Sequence, residues 1–392
     1  IGRECMLNVH DAGRLGELTP PIYPPSTVTP TSAFLLASAA KGRRSLTSPV
    51  PYARLGSMVK WRSLLAGGLI SAACLVLLLR TVDLSKTGAA LAAADPLWLV
   101  VALATIIVAV LLRCWRWQLL FLPHNRVRFW STTSATMIGY MFNTVLPGRV
   151  GELARASLVS QTDHVGTPRA LGTIVVEKIL DVLVLLFLLG ALTAFLPLPA
   201  EATAAGTSAA LLFGAGAVVF FLLTTIREPV VRWTQRRLDH LPVLNRLHPS
   251  NMVDMVLGSA DSLRRPQLLA LHVVIGPLMW VVALFTVAAT TRAFDLDLPW
   301  TAWALVLVLT NLGMTVPSAP GYVGVYHTIA VFALTPFGVD AGTALAFAVT
   351  LHAIAFGFFL VAGALILLTG LARQQYSVAD LWRWRVAVPS SA

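Results

Sequence analysis

The chain has 392 residues, of which 57% are hydrophobic and 12% charged, with a net charge of +11 and a mean hydropathy of +0.76. That leaves too little polar surface for a water-soluble domain and is the composition of an all-α polytopic membrane protein. The positive charge does not read as a nucleic-acid surface, because most Lys and Arg residues fall in short loops between apolar segments and not on one basic face.

Residues 1–57 are rich in proline (Pro20, Pro21, Pro24, Pro25, Pro30, Pro49, Pro51) and have no long apolar run, the composition of a disordered leader. Lys41, Arg43 and Arg44 follow the short apolar stretch 33–40 instead of preceding it, the wrong order for a secretory signal. Met58, directly before the first span, is the expected start of translation. From there, stretches 63–79, 97–120, 171–196, 207–226, 268–291 and 341–368 are long enough to cross about 30 Å of hydrocarbon. Two more apolar regions, 130–170 and 300–337, are broken by proline and glycine, and their halves are short for a crossing. Each is either a re-entrant hairpin or a pair of tilted spans. Residues 227–265 are basic and partly amphipathic and read as a cytoplasmic connector on the membrane surface, with 371–392 as a cytoplasmic tail.

Placing the start of the first span in the cytoplasm puts 17 Lys and Arg after Met58 on that side, Arg113 and Arg116 among them, and only Arg80, Lys86 and Arg292 opposite. Positive residues resist translocation, so both termini are expected inside the cell membrane, with Trp98, Trp130 and Trp300 near span ends. In this orientation residues 58–197 and 207–370 each read span, span, broken hairpin, span, starting from opposite sides. That is the plan of an inverted repeat.

The breaks are NTVLPGRVGELAR, Asn143 to Arg155, and NLGMTVPSAPGYVGVYH, Asn311 to His327. In the first, Pro147 ends one helix, while Gly148 and Gly151 permit a close turn into the next. The new helix is expected to present unpaired N–H groups to an anion, with Arg149 and Arg155 adding charge suited to phosphate or carboxylate and Glu152 pairing with one arginine. A plain cytoplasmic turn is the bland alternative. Downstream, Glu177 and Asp181 share one helix face beside Lys178, and are expected to face Arg149 or Arg155, as an ion pair or as a relay. Lys178 can also snorkel to the surface. The second break carries Asn311, Pro317, Ser318, Pro320, Gly321 and Gly324, followed by Tyr326 and His327. His327 either titrates, bonds a headgroup, or simply bonds a carbonyl, and His352 has no motif beside it. Arg113, Arg116 and Trp117 read as anchors at the headgroups, with drawing in anionic lipid as a second possibility. Cys5, Cys74 and Cys114 have neither metal-site nor disulfide-framework spacing, and no nucleotide, zinc or nucleophile motif occurs, so no metal, cofactor or ATP drive is expected.

NTVLPGRVGELAR, VVEKILD at Val175 to Asp181, and PSAPGYVGVYH resemble the lysylphosphatidylglycerol synthase transmembrane family, also described as flippase-like, over about residues 60–370. The resemblance implies the membrane half of multiple peptide resistance factor proteins, which moves aminoacylated phospholipid between leaflets, with relatives that handle other lipids or lipid-linked sugars. His327 stands where members often carry a glutamate, and with about 22 residues after Gly370 the synthase domain is not expected. The expected activity is therefore that of a lipid translocase whose substrate bears a phosphate. A membrane-embedded transferase with Glu152 or Asp181 as general base, or a scaffold for a lipid-modifying enzyme, are the alternatives. A homo-oligomer is compatible with any of them.

Overall fold

The computed structural model describes residues 61–146, 149–195, 200–239, 249–315 and 318–373. The leader, Met58, the Pro147, Gly148 and Pro317 positions and most of the tail lie outside the described residues. Among those described, the chain is helical without strands: α1 (Trp61–Thr81), α2 (Leu84–Ala93), α3 (Pro96–Leu120), α4 (Phe129–Val145), α5 (Val150–Asp163), α6 (Thr167–Leu192), α7 (Ala200–Thr225), α8 (Arg227–Arg237), α9 (Pro249–Ser259), α10 (Pro266–Ala293), α11 (Trp300–Gly313), α12 (Val325–Leu334) and α13 (Ala341–Ala372). A 3-10 turn at Pro320–Tyr322 precedes α12.

Starts are written locally. Asp83, Asp95 and Asp340 cap α2, α3 and α13 by accepting the amides of Ser85, Leu97, and Gly342 with Thr343. Capping matters where the first amides have no carbonyl one turn back. Pro96, Pro168 and Pro266 sit in the first turns of α3, α6 and α10, where a missing N–H costs nothing.

Three helices, α3, α10 and α13, are long and apolar enough to cross a membrane. At 26 residues α6 has the length too, but it carries Glu177, Lys178 and Asp181. The helices beside the breaks are short: 17 residues in α4, 14 in α5, 14 in α11 and 10 in α12. Each falls below the roughly 20 residues a crossing needs. The expected connector is two helices with a 3-10 turn, α8 leaving α7 at a bend of 93° and returning through Arg227 to Asp254 at 2.9 Å.

The most extensive helix pairing is α3 on α10, followed by α4 on α13 and α4 on α5. Close approach needs small side chains: a Cβ on Gly363 of α13 would meet Met137 and Met141 of α4. The core is apolar around Val306, Val308, Ala330, Leu334 and Phe347, all 0% exposed. The outside is apolar as well. Leu69, Leu97, Phe187 and Leu211 are exposed to about two thirds of their surface, as suits a protein whose solvent is lipid. Trp98, Trp130 and Trp300 stand at the starts of α3, α4 and α11 with their rings exposed.

Candidate functional site

The first break is built by two glycines and an asparagine. Arg149, at the N-cap of α5, adopts φ 55° and offers no side-chain cap. Asn143, from the last turns of α4, does it instead: its Oδ1 accepts the Gly151 amide at 2.9 Å, and its Nδ2 donates to Glu152 Oε2 at 3.2 Å. This needs the two backbones almost in contact, and a Cβ on Gly151 would meet the Gly139 carbonyl and the Asn143 side chain. The expectation of open amides waiting for an anion fails at two positions. The Gly151 amide is taken by Asn143 and that of Glu152 lies 3.4 Å from the Arg149 carbonyl, and a carboxylate already sits in the first turn. Asn143→Ala is expected to cost about 1 kcal/mol, the usual value of a lost cap. A thermal unfolding curve in detergent checks it, and a wild-type midpoint would refute this capping role.

Arg155 is also not free. It is 1% exposed, donates to Glu177 Oε2 at 2.8 Å, and lies over the Trp117 ring at 4.2 Å. Gly139 leaves the room its stem occupies. Glu152 pairs with no arginine. Its partners are Asn143 and Lys178, the latter at 4.0 Å.

Glu177 and Asp181 lie on one face of α6, as their spacing requires, and Glu177 meets Arg155 as expected. Asp181 meets neither predicted arginine. It accepts from Arg113 and from Arg116, and Arg113 also reaches Glu177 at 3.4 Å. The headgroup-anchor reading of Arg113, Arg116 and Trp117 is thus corrected: Arg116 is 1% and Trp117 0% exposed, and Trp117 donates to Thr173 Oγ1 at 3.1 Å inside the bundle. A guanidinium buried this fully in the bundle needs a carboxylate, and α6 supplies Glu177 and Asp181. The clue was present in the sequence, since Arg113 and Arg116 fall within the predicted span 97–120, three residues apart and so on one helix face.

The second break is stapled differently. Asn311 donates to Leu307 within its own helix at 2.8 Å. The amide of Ala319 is taken by Ser71 of α1 at 2.8 Å, and that of Gly324 by His327 Nδ1 at 3.3 Å. Gly321 and Gly324 are at φ 67° and 88°, where a side chain is strained, and Gly324 lies against the Ser71 carbonyl. Pro320 opens the 3-10 turn. His327 is buried and faces His352 of α13, with 3.0 Å between its Nε2 and His352 Nδ1.

The two breaks touch each other. Arg149 donates to the Met314 carbonyl at the end of α11 and bonds the Tyr322 side chain, while Gly321 lies against the Thr144 carbonyl of α4. Tyr322, at φ 60°, is like Arg149 a non-glycine residue in the left-handed region, one in each break. Such strain gathers at functional positions. Beside this junction lies a cavity of about 310 Å³. Of the expected site residues Asn143, Arg149, Glu152, Asp181 and Asn311 line it, together with Arg113 and Lys178. Gly151, Arg155, Glu177, Pro320, Gly321, Gly324 and His327 are not among its lining residues. The remaining lining is mostly apolar, with an aromatic share from Tyr140, Trp280, Tyr322, Tyr326, Phe356 and Phe359, and was not legible in the sequence because those rings come from five separate segments. Among the described residues no group of His, Cys, Asp and Glu is arranged to hold a metal.

No curated protein and no solved structure matches the chain. The sequence model described as "Lysylphosphatidylglycerol synthase TM region" matches residues 64–363, which include both breaks and every charge of the cavity. With apolar helices, a lipid-facing exterior and that match across most of its length, the chain is an integral membrane protein and belongs to the lysylphosphatidylglycerol synthase transmembrane-region family.

Proposed function

We propose that the protein is a lipid translocase that takes an anionic, phosphate-bearing headgroup into the cavity between the two breaks while the acyl chains stay in the bilayer. The observation that carries this reading is the charge balance at the junction. Five cations, Arg113, Arg116, Arg149, Arg155 and Lys178, face three carboxylates, Glu152, Glu177 and Asp181. Cations outnumber carboxylates by two around the cavity, and a cleft lined by an excess of one sign favours a ligand of the other. Arg116 and Arg155 are committed to carboxylates and serve as scaffold. Among the described residues Arg149 is held by a carbonyl and a phenol, neutral acceptors that a phosphate oxygen outcompetes.

The two broken segments are re-entrant in this reading, and alternating access follows from an inverted repeat with both termini in the cytoplasm. Exchanged packing supports the repeat. The hairpin helix α4 packs on α13, the last span of the other half, and α11 packs on α6, the last span of the first. Likewise α2 packs on α13 and α9 on α6, and α3 packs on its own counterpart α10. One contact departs from the symmetry, because α1 lies against α12 while α7 lies against α6. The positive-inside argument weakens by two residues, Arg113 and Arg116, and still favours the same side.

The test is leaflet-specific movement of a fluorescent phosphatidylglycerol in proteoliposomes, with phosphatidylcholine as the neutral comparison. Arg149→Ala is expected to slow phosphatidylglycerol at least about tenfold, the worth of one charge-assisted hydrogen bond, with the unfolding midpoint unchanged. Wild-type rates in this variant, or no protein-dependent movement of the anionic lipid, would remove the proposal.

A further inference from the structure

We infer that the His327–His352 pair is a proton-binding site, and that taking up a proton releases the staple of the second break. The observation is the closed hydrogen-bond chain. Gly324 donates its N–H to His327 Nδ1 at 3.3 Å, so the other nitrogen of that ring, Nε2, carries the hydrogen and donates to His352 Nδ1 at 3.0 Å. The His352 ring is bonded in turn to the backbone of Gly321. Both rings are therefore neutral in this arrangement, and the chain runs from one glycine of the break to the other.

An added proton has two landing places, and each breaks a link. On His327 Nδ1 it meets the Gly324 N–H, donor against donor, and the cap of α12 is lost. On His352 Nδ1 it meets the His327 N–H, and the two rings part unless His327 passes its hydrogen on by changing tautomer, which again displaces Gly324. Among the described residues no carboxylate bonds either ring. On its own helix the pair has Tyr326, with ring centroids 5.9 and 4.9 Å away. From α13, Phe356 stands edge-on to His352 at 4.2 Å, and that helix carries no titratable side chain but His352. No residue of α11 titrates. From α1, Ser71 and Cys74 approach through backbone carbonyls, and Arg80 is the only charge in its described part beyond them. A lone imidazolium here is relieved by opening toward water or toward the cavity, which Tyr326 and Phe356 separate from the pair.

This inference does not depend on what the cavity carries, and its test does not read lipid movement. Amide hydrogen exchange is followed in nanodiscs from pH 8 to 4.5, corrected for the intrinsic pH dependence, and the 323–327 segment is compared with 341–345 of the same molecule. The comparison segment is capped by Asp340, whose carboxyl is held below its usual range by the Thr343 hydroxyl and so stays ionised. Exchange at 323–327 is expected to rise about tenfold relative to 341–345 as the pH falls, the loss of one hydrogen bond. His327→Asn keeps an acceptor for Gly324 but no ring, and its ratio is expected to stay flat. His352→Gln leaves a single ring, so the rise is expected at least about one pH unit lower. A flat ratio in the wild-type protein overturns the inference, and so does an equal rise in His327→Asn or an unshifted rise in His352→Gln.

Discussion

Asp181→Ala is expected to be the most damaging single substitution in the bundle, lowering the free energy of unfolding by about 3–5 kcal/mol. The reason is an asymmetry of number. One carboxylate answers two guanidinium groups, Arg113 and Arg116, and both are sunk between α3, α6 and α10. Removing Asp181 strands two cations, Arg116 fully buried and Arg113 mostly buried at the cavity wall. Among the described residues Arg116 has no second carboxylate, and Arg113 keeps the longer contact to Glu177 at 3.4 Å. Removing one arginine leaves the charges of the remaining pair matched, so Arg116→Met is expected to cost less than Asp181→Ala, and adding Arg116→Met to Asp181→Ala is expected to restore part of the loss. Equilibrium unfolding in mixed micelles followed by tryptophan fluorescence measures all three. If Asp181→Ala lies within about 1 kcal/mol of the wild-type protein, the buried network is not what holds α3 to α6.

Gly151→Ala is the second large effect, expected to destabilise by about 1–3 kcal/mol and to slow transport as well. The new methyl falls on the Gly139 carbonyl and the Asn143 side chain, both parts of helix backbone or of the cap. Backbone cannot give way as a flexible side chain does, so α5 must move off α4. Arg149 and Glu152 then leave the cavity with it. Gly216→Ala in α7 is the control: nothing lies within 4 Å of the added methyl, and the change is expected to be neutral or to stabilise by about 0.5–1 kcal/mol through helix propensity. Equal unfolding midpoints for the two variants would show that the α4–α5 contact is not close in the membrane.

Much of the fold was legible because helices and breaks are local. Hydropathy marked α3, α10 and α13 to within a few residues of their ends, and Pro-Gly in an apolar run marked where α4 and α11 stop. The face shared by Glu177 and Asp181 also follows from spacing alone. The upstream asparagines looked alike, yet Asn143 caps the next helix across the break while Asn311 bonds back within its own, because only the first break brings two glycines together.

Pairing was a different matter. The sequence reading set Arg113 and Arg116 at the headgroups and made Arg149 and Arg155 the natural partners of α6. The packed bundle chose Arg113 and Arg116 for Asp181 and left Arg149 to bridge the breaks. The His327–His352 contact spans 25 residues and two helices, and neither residue carries a local sign of the other. Sequence by itself determined which segments are helical, where they break and that charge must be buried. Which cation meets which carboxylate was decided by tertiary structure, since a salt bridge depends on helix rotation and depth, and those are set by side chains packing far apart in the chain.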